Sequence, residues 1–197
     1  MDQLIAFDRY LFERINLDWT NGVFDWLFPA ITDLHKSPEF LIAVLPLLAL
    51  WAYKGKTNAM KWMIVLLMAI GIADAFSYRV LKASTMRARP EAAGVRLQLR
   101  THQHSGSSFP SNHTSNVFAA ATVLTGAFPV GAPLWFGVAA AVGYSRIYVG
   151  VHFPLDVLGG ALLGVAIGTI LLRIFRRWLG IKSGGGSSRA RNSNPSS

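Results

Sequence analysis

Residues 157–174 read VLGGALLGVAIGTILLRI. The run carries no charge before Arg173, and its length approaches the ~20 apolar residues a helix needs to cross a bilayer. Lipid offers no partner to a backbone N–H or C=O, so such a segment closes its hydrogen bonds within itself, as a helix. Gly160, Gly164 and Gly168 recur every four residues along it, a spacing that lets a second helix backbone come close. A membrane helix with a small-residue packing stripe is the frame into which the preceding chain must fit.

Further apolar stretches occupy residues 40–53, 60–80, 116–128 and 134–144. The last two are cut short by Pro129 and Pro133 and interrupted by polar residues, so they serve as spans only if their polar ends line a protein-enclosed site. Residues 20–34 are apolar but broken by Asp25 and Pro29; they read as an interfacial helix, with a sixth span as the alternative. At the N-terminus, MDQLIAFDRYLFERIN has no uninterrupted apolar core, so no cleavable signal peptide is expected. Its Leu4, Ile5, Phe7, Tyr10, Leu11, Phe12 and Ile15 fall at helical spacing, either an amphipathic helix in the membrane interface or a helix packed on protein. The expected fold is all-α: a polytopic membrane helical bundle of five to six spans with N-terminal interfacial helices. One domain covers residues 1–182, and a Gly/Ser-rich tail at 183–197 is expected to be disordered.

Composition agrees. Charged residues make up 15% of the chain, against roughly 25% in soluble domains. The net charge of +9 is spread between apolar runs, which points to anionic lipid or phosphate rather than nucleic acid. The absence of cysteine excludes disulfides, thiolate catalysis and cysteine metal sites. Lys54, Lys56 and Lys61 cluster in an expected loop, and Arg173, Arg176, Arg177 and Lys182 follow the last span. Both groups are cytoplasmic by the positive-inside rule. Residues 82–111 and 145–156 then face outward together. The first of these holds Lys82, Arg87, Arg89, Arg96 and Arg100, which goes against the rule unless those charges have another task.

Three outward segments carry the chemistry: KASTMRARP (82–90), FPSNH (109–113) and SRIYVGVHFPLD (145–156). Phosphoryl transfer depends on positioning and on stabilising charge spread over the equatorial oxygens. Lys82 offers a point charge, and Arg89 and Arg146 can each bond bidentately. Taken singly, each cation reads equally as a headgroup anchor or a snorkelling side chain. Ser111 follows a proline and suits the N-cap of a helix, so the N–H groups of Asn112, His113 and Thr114 would face an anion. If helical, His152 and Asp156 stand one turn apart, and the carboxylate can hold one ring nitrogen while the other attacks. A His–Asp pair capping the last span is the plainer alternative. His113 can protonate a leaving oxygen as general acid.

The pattern K-x6-RP, PS-x-H and SR-x5-H-x3-D resembles the three-part signature of the type 2 phosphatidic acid phosphatase superfamily, with ten residue types in order from Lys82 to Asp156. That group includes bacterial membrane lipid phosphatases and soluble vanadium haloperoxidases, and the apolar spans suit the membrane branch. The resemblance implies that Lys82, Arg89, Ser111 and Arg146 bind phosphate, with the Asn112 backbone beside them. It further implies that His152 is the nucleophile, Asp156 orients it and His113 is the acid, without metal or cofactor. Asn112 stands where the family has glycine; only its N–H is needed, and its side chain is free to alter the pocket or meet substrate. FPSNHT resembles the undecaprenyl-diphosphate phosphatase branch, and phosphatidylglycerophosphate, phosphatidic acid and lipid A 1-phosphate are the other substrates considered. The expected setting is the bacterial plasma membrane, multi-pass, with the site facing the periplasm or outside. The bilayer and a lipid phosphate are the partners, with no obligate protein partner. A non-enzymatic lipid-phosphate transporter would keep the cations but has no need of a nucleophile, a carboxylate and an acid.

Three other features have two readings. Asp74 lies in an apolar stretch, where an ionisable residue is a functional-site candidate; a structural role, paired with an arginine or hydroxyl beneath the site, is the favoured reading. His102 and His104 read as a mobile polar loop rather than a metal site. Arg87, Arg96 and Arg100 can hold a second phosphate or a headgroup, or be solvated loop charge.

Overall fold

The computed structural model describes residues 2–33, 38–103 and 105–181, which leaves His104, Lys182 and the tail at 183–197 outside the described residues. Among the described residues all regular structure is helical. Helix α1 (Asp2–Glu13) passes through a π turn (Arg14–Asp18) to α2 (Gly22–Asp33). Helix α3 (Pro38–Phe76) continues through a second π turn (Ser77–Leu81) into α4 (Lys82–Thr85). After a long loop come α5 (Asn112–Ala127), α6 (Ala132–Tyr148) and α7 (Pro154–Ile174).

Helix α5 is the centre of the bundle, packed most extensively on α7 and then on α3 and α6. The α5–α7 contact is made by the glycine stripe. A Cβ at Gly160 would sit 2.6 Å from the Ser111 carbonyl oxygen, and one at Gly164 would sit 2.3 Å from that of Ser115. Small and branched side chains fill the inner end: Val65, Ala69 and Ala73 of α3 meet Ala119 and Val123 of α5 and Leu171 of α7. A second cluster joins Phe12, Ile15 and Phe28 of the N-terminal segment to Ile147, Tyr148 and Phe153. Helices α1 and α2 thus cap the outer ends of α6 and α7, and they turn Leu4, Phe7, Tyr10, Val23 and Trp26 outward. The N-terminal helix packs one face on protein and leaves the other as an exposed apolar face.

By length and composition, Thr57–Ala92 and Pro154–Ile174 can cross a membrane. Leu67 and Ile72 on α3, Leu134 and Val138 on α6, and Leu158, Leu162 and Ile170 on α7 are exposed. A bilayer would cover such faces. One difference from the sequence reading stands out. Residues 40–53 and 60–80, read as two spans, lie in a single helix, so residues 54–61 are helical rather than a loop. The physical reason is that AYKGKTNAMKW contains no proline, and one glycine is too weak a breaker to end a helix. At ~1.5 Å per residue α3 is far longer than the ~30 Å hydrocarbon layer. Lys61 lies beside the segment after the last span: its Nζ donates to the Trp178 carbonyl at 3.1 Å and lies 5.5 Å from that ring.

The glycine stripe generates a test. Gly164→Ala should lower the thermal midpoint of the detergent-solubilised protein, because overpacking a tight contact costs about 1–3 kcal/mol. Gly137→Ala, where an added Cβ meets nothing within 4 Å, should leave the midpoint unchanged. Equal midpoints for both variants would show that α5 and α7 can part at no cost.

Candidate active site

The site forms where the outer end of α6, the start of α7 and the start of α5 converge on the loop before α5. Helix α7 begins at Pro154, a residue suited to a first turn because it has no N–H to satisfy. Asp156 reaches back from that turn, and its Oδ2 accepts the Phe153 N–H at 2.8 Å and the Ser108 hydroxyl at 2.6 Å. Its Oδ1 accepts from Arg87 Nη1 at 2.5 Å. A fully buried carboxylate is tolerable only with this many partners.

His152 lies in the bend before α7, not on the helix. The i,i+4 relation to Asp156 therefore arises from a helix cap rather than from a helical turn, which corrects the sequence reading. Its Nδ1 is 3.6 Å from Asp156 Oδ2 and 3.4 Å from Ser108 Oγ. Its Nε2 faces Arg89 Nη1 at 3.5 Å. The bend itself is held by the Val151 and His152 N–H groups, each donating to the Arg146 carbonyl at 3.2 Å. Gly150, at φ +90°, makes the turn in a conformation that disfavours any other residue. Burial holds the His152 imidazole far below its ordinary range, at about 3. Arg89 and Arg146 push in the same direction, against the pull of Asp156. The ring is neutral, and a proton on Nδ1, on the carboxylate side, leaves the Nε2 lone pair toward Arg89.

Arg89 is 6% exposed, with Nη1 donating to the Val151 carbonyl at 3.0 Å and Nε to that of Gly106 at 3.2 Å. Arg146 is 1% exposed and donates to Thr32 Oγ1 at 2.9 Å, while Thr32 shares a second 2.9 Å bond with Ser145 Oγ. Lys82, on α4, is within electrostatic range of Arg89, Arg146 and Asp156. A cavity of about 480 Å³ opens beside them, lined by Lys82, Arg87, Arg89, Ser105 and Ser107 among others. Lys82, Arg89, Arg146, His152 and Asp156 are therefore one cluster.

Ser111 caps α5 as expected, accepting from Thr114 N at 3.5 Å, and its own N–H donates to the Asp156 carbonyl at 3.0 Å. Asn112 turns its side chain away toward α3: Ser77 Oγ donates to its Oδ1 at 2.6 Å, and its Nδ2 donates to Asp74 at 3.1 Å. Asp74 also accepts from Asn116 at 3.2 Å, so amides take the place of the expected arginine or hydroxyl. His113 borders a second cavity of about 290 Å³ with Asp74, Asn112, Asn116 and Val117.

The basic loop resolves into pairs. Arg87 bonds Asp8, Arg96 reaches Glu13 at 3.2 Å, and Arg100 reaches Asp25 at 2.8 Å. Arg100 also donates to the Asn16 and Tyr148 carbonyls and stacks on the Tyr148 ring. Arg87 and Arg100 thus tie the loop to the N-terminal helices, while Arg96, largely exposed beside Glu13, fits the reading as solvated loop charge. Ser108, Thr32 and Asp8 escaped the sequence reading; the one available signal was an acidic N-terminal segment opposite a basic loop. His102 is exposed.

The PAP2 superfamily matches residues 59–179. The undecaprenyl-diphosphatase BcrC of Bacillus subtilis is 34% identical over 83% of this chain and 81% of its own. Phosphatidylglycerophosphatase B of the same organism is 30% identical over 78% and 74%. The crystal structure of Aquifex aeolicus LpxE superposes with a TM-score of 0.68 at 32% identity, covering 83% of this chain and 93% of that one. Lys82, Arg89, Ser111, Arg146, His152 and Asp156 all lie inside the matched region, and the chain belongs to the PAP2 superfamily.

Proposed function

We propose that this protein is a membrane lipid phosphatase that works through a phosphohistidine on His152, without a metal or cofactor. The observation that carries this reading is the setting of His152: a buried neutral imidazole with Asp156 on its Nδ1 side and Arg89 on its Nε2 side. In the proposed reaction Nε2 attacks phosphorus, and the bond from phosphorus to the leaving lipid oxygen breaks. Asp156 stabilises the cationic ring that results. Lys82, Arg89, Arg146 and the N–H groups opening α5 at Asn112 and His113 hold the equatorial oxygens, with Ser111 as the cap of that helix. His113 gives its proton to the leaving oxygen, and water then clears the intermediate.

Undecaprenyl diphosphate is the first-choice substrate, supported by the FPSNHT sequence and by the relative named for that activity. Phosphatidylglycerophosphate has the support of the second relative's name, and phosphatidic acid and lipid A 1-phosphate remain alternatives. We place the protein in the bacterial plasma membrane as a multi-pass bundle, with α1 and α2 at the outer interface. The site faces outward, and the Lys61–Trp178 end faces the cytoplasm.

Phosphate release from a panel of lipid phosphates in the presence of EDTA tests the activity. His152→Ala should abolish release while substrate still binds; Arg89→Ala should weaken both, since an oxyanion contact commonly contributes ~3 kcal/mol. Normal turnover by His152→Ala would sink the mechanism.

The state of His152 gives a pH test. A histidine whose pKa is depressed stays neutral above that value, so lowering pH from about 7 to 5 should leave its ring nitrogen resonances unchanged. A His152 signal that titrates near 6.5 would contradict the neutral nucleophile.

Orientation is checked by labelling. An impermeant thiol reagent should reach Gln103→Cys in intact cells and Thr57→Cys only after permeabilisation. The opposite pattern overturns the topology.

A further inference from the structure

We infer that Asp8 is a positioning residue for phosphoryl transfer, acting on Asp156 through Arg87. The inference rests on the phosphohistidine reading above and adds a residue from outside the family-matched region 59–179.

Helix α1 buries only two side chains, Phe12 and Asp8, and Asp8 is 1% exposed. Burying a carboxylate is costly unless its oxygens are bonded. Both are. Oδ1 accepts the Leu155 N–H at 2.8 Å, in the first turn of α7, and Oδ2 accepts from Arg87 Nη2. The other arm of the same guanidinium, Nη1, donates to Asp156 Oδ1 at 2.5 Å, and the Arg87 plane lies 4.7 Å from the Phe153 ring. Two buried carboxylates therefore share one arginine, and one of them is the partner of His152.

Charge counting gives this arrangement its meaning. Arg87 alone would neutralise Asp156 and draw the carboxylate's electrons away from His152. With Asp8 on the far side of the guanidinium, the three groups keep one net negative charge beside the imidazole. That charge is what a phosphorylated, cationic ring needs. The fork of Arg87 also fixes Oδ1, which leaves Oδ2 for Ser108 and His152. The plainer reading is that Asp8 merely fastens α1 to the start of α7 through Leu155.

Asp8→Asn separates the two, because an amide keeps the volume and the acceptor for Leu155 but loses the charge. In vesicles, Asp8→Asn should lower kcat about tenfold, equivalent to about 1.4 kcal/mol on the barrier, with KM little changed. Asp18→Asn, on an exposed ion pair of the same segment, should leave kcat unaltered. Arg87→Gln should remove the effect, so that Asp8→Asn costs nothing further in that background. A wild-type kcat in Asp8→Asn overturns the inference. So does an equal loss in the Arg87→Gln background, or a fall in thermal midpoint large enough to account for the lost activity. Turnover persisting in His152→Ala would remove the nucleophile reading and this inference together. An inactive His152→Ala beside a fully active Asp8→Asn overturns the inference alone.

Discussion

The backbone-to-backbone approach of α5 and α7 is the constraint on which the rest depends. With Gly160 and Gly164 against the carbonyls of Ser111 and Ser115, the start of α5 is held against the second turn of α7. Ser111 N–H then reaches the Asp156 carbonyl at 3.0 Å. A larger residue in the stripe would move the α5 N-terminus away from the α7 N-terminus and separate two positive helix ends that now face one region. In a bilayer, where apolar side chains gain little by leaving lipid for protein, close packing of this kind is a main source of helix association. The stripe is therefore both the fold's adhesive and the ruler that sets the site.

A second constraint is the pairing of charge. The loop before α5 carries arginines that would repel one another. The N-terminal segment answers them with Asp8, Glu13 and Asp25. The pairing is graded by burial. Arg96–Glu13 is largely exposed and contributes little, as surface ion pairs do. Arg87 between Asp8 and Asp156 is largely desolvated, and there the loss of one partner would strand a charge. Lys82 and Arg89 line the cavity, where Arg89 is held by the carbonyls of Val151 and Gly106.

This division explains what could be read from the sequence. The three motif segments were legible because each spacing is local: Arg146 to His152 to Asp156 is one helix end, one turn and one helix start. Ser111 was legible because an N-cap is a matter of adjacent residues. His152 was assigned to the right partner by the wrong geometry, since a helix cap and a helical turn both bring i and i+4 together. Asp8 and Ser108 are not legible, because Asp8 meets Arg87 from 79 residues away and Ser108 meets Asp156 from 48 residues away, only after the chain has folded back. The continuity of α3 was missed because lysine clusters mark loops in membrane proteins by topology, while helix propensity is indifferent to them.

The charge of the substrate explains why a neutral base sits among cations. Without substrate, Arg89 and Arg146 disfavour a proton on His152, which keeps the lone pair available. In the proposed reaction an anionic phosphate enters the same field and offsets it. The attack then turns His152 cationic at the moment when Asp156, supported from behind by Arg87 and Asp8, is the nearest opposite charge. In that proposed reaction burial and the arginines keep the nucleophile unprotonated before the phosphate arrives, and Asp156 stabilises the ring after the attack. Preorganisation of this kind requires that the arginines be locked in place beforehand, and the carbonyls of Val151 and Gly106 and the hydroxyl of Thr32 do that.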